Sequence, residues 1–271
     1  MALGVIQRNG TTVAFDIEKI AAAVEKALQS TSYQDQFTEV EQQNYRLYLR
    51  IIAKIGWPAY INGDTAFHSM IIDLFESCDI AEIETALFDY YGPLYLKELE
   101  EQLSESDVIN RERVPLFHEA FLLYQLGYYY GAVAILITQV VGIADDIEKL
   151  LKRNNATYTP ETLALLKDLC NPSSSNDASR VIKAVLEGKA LDDEENEYGY
   201  LLGYLRYRLF DTHMSKEDRE RHVNRNLVCH GAQLNYGTKE HALKVILCID
   251  ALAWVAEVIA DNVSDNLDKL S

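Results

Sequence analysis

The stretch AFLLYQLGYYYGAVAILITQVVGIA, running from Ala120 to Ala144, carries no charged side chain. A single helix of about 20 apolar residues spans a bilayer, so by length alone this stretch qualifies. Its interior argues otherwise. Gln125, Gly127 and the run Tyr128-Tyr129-Tyr130-Gly131 divide it, and Thr138 and Gln139 follow. Two buried helices around a tight turn fit this punctuation better than one membrane span. No membrane association is expected, and the chain reads as a helical bundle.

Helical spacing continues on both sides of that stretch. Ile17, Ile20, Ala21, Val24 and Leu28 recur at helical intervals, as do Tyr45, Tyr48, Leu49, Ile52 and Ile55, before Gly56-Trp57-Pro58 breaks the pattern. Further helices are predicted from Thr65 to about Ser77 and after Asp79, where Ile83, Leu87 and Tyr90 share a face. Residues 154–180 read as a loop around one short helix, and Tyr198 to Phe210 as an aromatic-rich helix. Thr238 is the expected N-cap of a last helix reaching about Asn262. Leu243, Ile246, Leu247, Leu252 and Val255 make that helix apolar on several faces, which places it centrally in the bundle or at a dimer interface. Strand signals occur only at the N-terminus, where Val5-Ile6-Gln7 and Thr12-Val13-Ala14 flank Asn9-Gly10, a two-residue hairpin signal. The expected fold class is all-α: a helical domain over residues 105–271, preceded by a helical region over 1–104 that carries a small β-hairpin.

With 42 acidic against 25 basic residues, the net charge of −17 argues against a protein that coats nucleic acid through a broad basic face. Any RNA contact must be a local pocket. Lys216, Arg219, Arg221 and Arg225 supply local positive charge, although a solvated charged helix accounts for the flanking residues. Cys78, Cys170, Cys229 and Cys248 lack metal-type pairing, and in a chain of this length they suggest reduced thiols rather than a disulfide scaffold. The opening Met1-Ala2-Leu3-Gly4 lacks the features of a secretory signal. A cytoplasmic location is expected. His68, His118, His213, His222 and His241 are dispersed, so no metal site and no cofactor are expected.

Chemistry concentrates in Asn224-Arg225-Asn226-Leu227-Val228-Cys229-His230-Gly231, followed by Tyr236-Gly237-Thr238. A guanidinium can hold a phosphate and an imidazole can move a proton near neutral pH. On a straight helix Arg225 and His230 would diverge by about 140°. The motif must therefore lie at an irregular helix end, for which Gly231 and Gly237 argue, or two copies must meet across a two-fold axis. The predicted catalytic residues are His230 for proton transfer, Arg225 for the phosphate and Asn226 to orient either. Asn224 and Tyr236 are the predicted substrate-binding residues. A helix cap or surface salt bridge is the bland alternative for the same residues.

This segment, with the apolar run from Ala242 to Leu252, resembles the end of HEPN-superfamily domains, whose signature is an arginine, a polar follower and a histidine a few positions on. Four residues intervene here, and the polar follower is Asn226. A second block, Asn110-Arg111-Glu112-Arg113 to Ala120, then Gly127-Tyr128 and Gln139 to Asp145, is similar to the leading helical hairpin of bacterial HEPN-like proteins. The resemblance covers roughly residues 105–260, with an unmatched insertion between about 152 and 197. It implies a helical bundle, a homodimer with paired motifs in a shared cleft, and a metal-independent endoribonuclease of a toxin–antitoxin, abortive-infection or other antiviral system. Arg225 and His230 would inherit the catalytic roles. The branch paired with a nucleotidyltransferase antitoxin carries a tyrosine where this chain has Ala232, which favours an autonomous ribonuclease or an inactive binding relative.

Residues 4–28, from Val5-Ile6-Gln7-Arg8-Asn9-Gly10 through Phe15-Asp16-Ile17-Glu18-Lys19-Ile20, resemble the opening of an ATP-cone, a nucleotide-sensing module. Arg8 and Lys19 are its phosphate-facing candidates; a hairpin and helix that merely pack on the bundle are the alternative. Two functions from different classes follow. One is an RNA-cleaving enzyme with a possible antitoxin or regulatory partner, and the other is a catalytically silent interaction or nucleotide-sensing module.

Overall fold

The computed structural model describes residues 4–6, 12–14, 39–60, 64–77, 80–154, 197–211 and 214–268. The described part is mostly helical, as the periodicity predicts. Two three-residue strands, β1 (Gly4–Ile6) and β2 (Thr12–Ala14), pair antiparallel with Val5 opposite Val13. The Asn9-Gly10 turn expected between them, the helix expected over Ile17 to Leu28 and the loop expected over 155–180 lie outside the described residues.

Helix α1 (Glu39–Lys54) buries Tyr48, Leu49, Ile51 and Ile52 and stops just before Gly56. Helix α2 (Thr65–Glu76) begins at Asp64, whose carboxylate accepts the Phe67 N–H at 2.8 Å and satisfies one of the first turn's orphan donors. Helix α3 (Ile80–Tyr90) turns the apolar edge of Ile83 and Leu87 inward. Helix α4 (Pro93–Glu105) opens on a proline, whose fixed φ suits a first helical position. A 3₁₀ turn (Arg111–Arg113) leads into α5 (Val114–Gln125), and α6 (Tyr129–Asn154) follows.

The turn that decides the fold sits at Gly127, with φ of +81°. The Gly127 N–H bonds the Tyr124 carbonyl at 3.0 Å and the Tyr128 N–H bonds the Leu123 carbonyl at 2.8 Å, closing α5 with a left-handed cap. A β-carbon in that backbone conformation is strained, so glycine is needed here. The segment Tyr129–Ile147 is long and apolar enough to cross a membrane, yet 61% of it is buried inside the protein. Ala132, Val133, Leu136, Ile137, Val140 and Ile143 form its inward stripe. It is a core helix.

Arg113 ties the start of α5 to the middle of α6. Its Nε donates to Asp146 Oδ2 at 2.9 Å, Nη1 to Gln139 Oε1 at 3.0 Å and Nη2 to the Gly142 carbonyl at 3.0 Å. A β-carbon at Gly142 would lie 1.9 Å from Arg113 Nη1, so the guanidinium occupies the space that any other residue would need.

After residue 196 come α7 (Glu197–Tyr204), a π-turn (Leu205–Leu209), α8 (Lys216–Arg221), α9 (Arg225–Cys229) and α10 (Lys239–Asp268). Thr238 caps α10 as expected, its hydroxyl accepting the His241 N–H at 3.0 Å. Every residue from His241 to Ala253 is buried, so α10 is the central helix of the bundle, packed chiefly on α6. One hydrophobic core runs from Tyr48 to Ala256 and is continuous across residues 104 and 105.

Candidate functional site

The Arg225–His230 motif is positioned by the π-turn before it. A π-turn bonds each N–H five residues back, here Phe210 to the Leu205 carbonyl at 2.8 Å, and leaves the last carbonyls of its helix turned outward. The two asparagines flanking Arg225 take them up. Asn224 Nδ2 donates to the carbonyls of Arg208 and Asp211 at 3.2 and 2.7 Å, and Asn226 Nδ2 donates to that of Phe210 at 3.1 Å. Asn224 Oδ1 then accepts the Leu227 N–H at 3.0 Å and caps α9. Fully buried, with its amide engaged on both sides, Asn224 anchors the motif and does not face a ligand. Buried Gln233 secures the return of the loop, accepting the Asn224 N–H at 2.9 Å and donating to the carbonyls of Arg219 and His222 at 2.9 Å each.

Asn226 links Arg225 and His230. Its side-chain oxygen accepts from Arg225 Nη1 at 3.1 Å, and its backbone carbonyl accepts the His230 N–H at 3.0 Å. His230 is the C-cap of α9, followed by Gly231 with φ of +68°, so the motif does end irregularly. The imidazole is exposed and makes no hydrogen bond among the described residues. The half-buried Arg225 has its Nε shielded from water without an acceptor among the described residues. An unmet buried donor costs about 1–3 kcal/mol. Tyr236 is half-buried, its ring edge-on to Tyr130 with centroids 5.0 Å apart, while the Tyr130 hydroxyl donates to the Leu234 carbonyl at 3.1 Å.

Two clusters escaped the sequence reading. Lys244, 1% exposed, donates to Glu240 and to the Arg221 carbonyl at 3.1 Å, with its ammonium 4.9 Å from the centre of the Trp57 ring. Burial lowers its pKa and Glu240 opposes that shift. His241 and His222 lie beside it, both with lowered pKa, burial being the first cause. The carbonyls of Tyr236 and Arg221 approach the His241 ring and oppose its shift, though neither nitrogen reaches hydrogen-bond geometry. The second cluster centres on Asp250, a 6%-exposed carboxylate on α10. Its Oδ2 accepts from the Tyr60 hydroxyl at 2.6 Å and from the Tyr95 hydroxyl. These groups line an open cavity of about 470 Å³ between α4 and α10. A lone carboxylate within the apolar run Leu247 to Ala253 was the available signal.

Among known proteins, the ATP cone domain matches residues 3–56, which extends the resemblance seen over residues 4–28 through the whole of α1. No curated protein and no solved structure matches the chain. The likeness of residues 105–260 to HEPN domains rests on its motif residues alone, and the established similarity of this chain is to the ATP cone domain at its N-terminus.

Proposed function

We propose that this protein is a metal-independent endoribonuclease of the toxin or antiviral-defence kind, HEPN-like in its C-terminal part and governed by a nucleotide-sensing N-terminal segment. The observation that carries the reading is the pairing, around Asn226, of an exposed imidazole with a half-buried guanidinium. Arg225 would hold the scissile phosphate through its terminal nitrogens, balancing charge as the pentacoordinate species forms. His230 would take the 2′-hydroxyl proton or return one to the leaving oxygen. Asn226 orients the guanidinium, Asn224 acts by anchoring α9, and Tyr236 would be a substrate-binding side chain. A homodimer would double the motif within one cleft, as the HEPN resemblance implies, and an antitoxin would act by covering it.

Cleavage of a mixed RNA pool by the wild type, His230→Ala and Arg225→Ala tests the assignment, with thermal melts alongside. Each variant should lose at least about 10²-fold in rate, the usual contribution of a proton-transfer group, while melting as the wild type does. Products should end in a 2′,3′-cyclic phosphate, and cleavage should persist in EDTA because the guanidinium and imidazole supply charge and proton transfer themselves. Equal rates in all three proteins would overturn the assignment.

A second reading, a nucleotide-sensing regulator without RNA cleavage, is favoured by the ATP cone match over residues 3–56. The last helix of that segment, α1, packs against α7, which continues into the π-turn capped by Asn224 and Asn226. A nucleotide bound by the segment thus has a contiguous route of packed elements to the motif. Wild-type protein inactive on every RNA, yet melting higher with ATP, would select this reading.

A further inference from the structure

We propose that Tyr130, at the start of α6, is the stacking platform for an unpaired base of the RNA held at Arg225, and so a substrate-positioning residue; the inference rests on the ribonuclease reading. The ring is exposed yet fastened. Its hydroxyl donates to the Leu234 carbonyl at 3.1 Å, and Tyr236 packs edge-on against it with centroids 5.0 Å apart. A β-carbon at Gly237 would lie 2.2 Å from Cδ2 of the ring and 2.3 Å from both Cγ and Cε2. Nearly equal distances to three adjacent atoms put that position over the ring face rather than off its edge, so the face lies flat on the Gly237 backbone. With that face covered, an exposure of 53% leaves the opposite face open to solvent. A ring already fixed in place loses little further freedom when a partner stacks on it, which favours binding.

The platform adjoins the motif. Leu234, whose carbonyl holds the Tyr130 hydroxyl, follows His230 by four positions, a length of chain that spans at most about 14 Å. Helix α9 also packs on α6. From Ala120 to Ala144 and from His222 to Thr238, the two segments that build this face, the chain carries no carboxylate, although it holds 42 acidic residues in all. A polyanion therefore meets no fixed negative charge from either segment, and Arg225 supplies a positive one. Single strands are gripped in this manner, with bases stacked on aromatic rings and the backbone following positive charge. A protein partner could cover Leu234, which is 77% exposed, and the exposed Tyr128, but it has no use for the guanidinium and imidazole beside the ring.

The test is a fluorescence titration of the full-length protein with short 2′-O-methyl oligouridines in which one base, moved along the strand in successive probes, is 2-aminopurine. Methylation blocks the 2′-hydroxyl, so binding is read without cleavage, and the emission falls when the base stacks. The wild type should quench at least one probe saturably. Tyr130→Leu should abolish that quenching and weaken binding about 5- to 150-fold, the range for losing one stacked base. Tyr130→Phe keeps the ring and should behave as the wild type. Gly237→Ala keeps Tyr130 but displaces its ring, and should weaken binding as Tyr130→Leu does. With an abasic site at the quenched position, wild type and Tyr130→Leu should bind equally. Equal quenching in wild type and Tyr130→Leu, or the same loss in Tyr130→Leu on the abasic probe, would overturn the proposal. A wild type that cleaves RNA yet quenches no probe overturns it and leaves the ribonuclease reading standing, whereas Tyr130-dependent quenching without any cleavage overturns that reading alone. If Tyr130→Leu changes the sedimentation coefficient and not the titration, the face belongs to a protein partner and the proposal falls.

Discussion

Below about pH 6.5 an unfolded histidine takes up a proton that His222 refuses in the folded protein. The ring is 4% exposed, its Nδ1 is buried without a hydrogen-bond partner among the described residues, and a β-carbon at Gly56 would lie only 2.6 Å from its Cε1. Burial first, then the charges of Lys244 and Arg208, lower its pKa to about 2. Between those two values the unfolded chain binds more protons than the folded one, so stability rises with pH across this window and is lost on acidification. One such group contributes a slope of up to about 1.4 kcal/mol per pH unit. Urea unfolding from pH 4 to 8 should show a steep acid limb, less steep by about one proton in His222→Gln, whatever packing does to the absolute stability. His241 also has a lowered pKa and will keep part of the slope. An unchanged slope would show that His222 titrates normally. Sequence gave no hint of this, because a histidine in a charged stretch reads the same whether it is solvated or covered by Gly56.

At the scale of elements, the helices were largely legible and their fastenings were not. Apolar periodicity and the Gly127 turn delivered α5 and α6, and Thr238 marked the start of α10. The π-turn had no signal: Tyr198 to Phe210 reads as one helix, and only the uptake of its carbonyls by Asn224 and Asn226 distinguishes it. The Arg113 clamp was equally hidden, since nothing in the spacing brings Arg113, Gln139 and Asp146 to one point. Burial alone would raise the Asp146 pKa; the hydrogen bonds from Arg113, Lys149 and the Asn110 N–H outweigh it and bring the group below its usual range. Gly142→Ala should expel the guanidinium and cost about 1–3 kcal/mol, as overpacking generally does. The measurement is the shift in urea midpoint, and a midpoint within error of the wild type would mean that the clamp reorganises freely. The same substitution at exposed Gly231 would meet no atom within 4 Å and strains only the backbone, so it serves as a control for the collision.

For the whole molecule, the continuity of the core across residues 104 and 105 decides how it unfolds. Tyr60 and Tyr95 reach Asp250 across 190 and 155 positions of chain, contacts that no local pattern could announce. A core shared in this way predicts one cooperative calorimetric transition, with equal van't Hoff and calorimetric enthalpies, rather than two. Two resolved transitions would show that the halves melt separately. The burial of α10 from His241 to Ala253 carries a further consequence for the cell. A ribosome delivers α1 to α6 before it delivers α10, so the apolar faces those helices turn towards it stay uncovered on the nascent chain. Chains interrupted before residue 239 should be chaperone clients and aggregate, whatever the condition of their earlier helices.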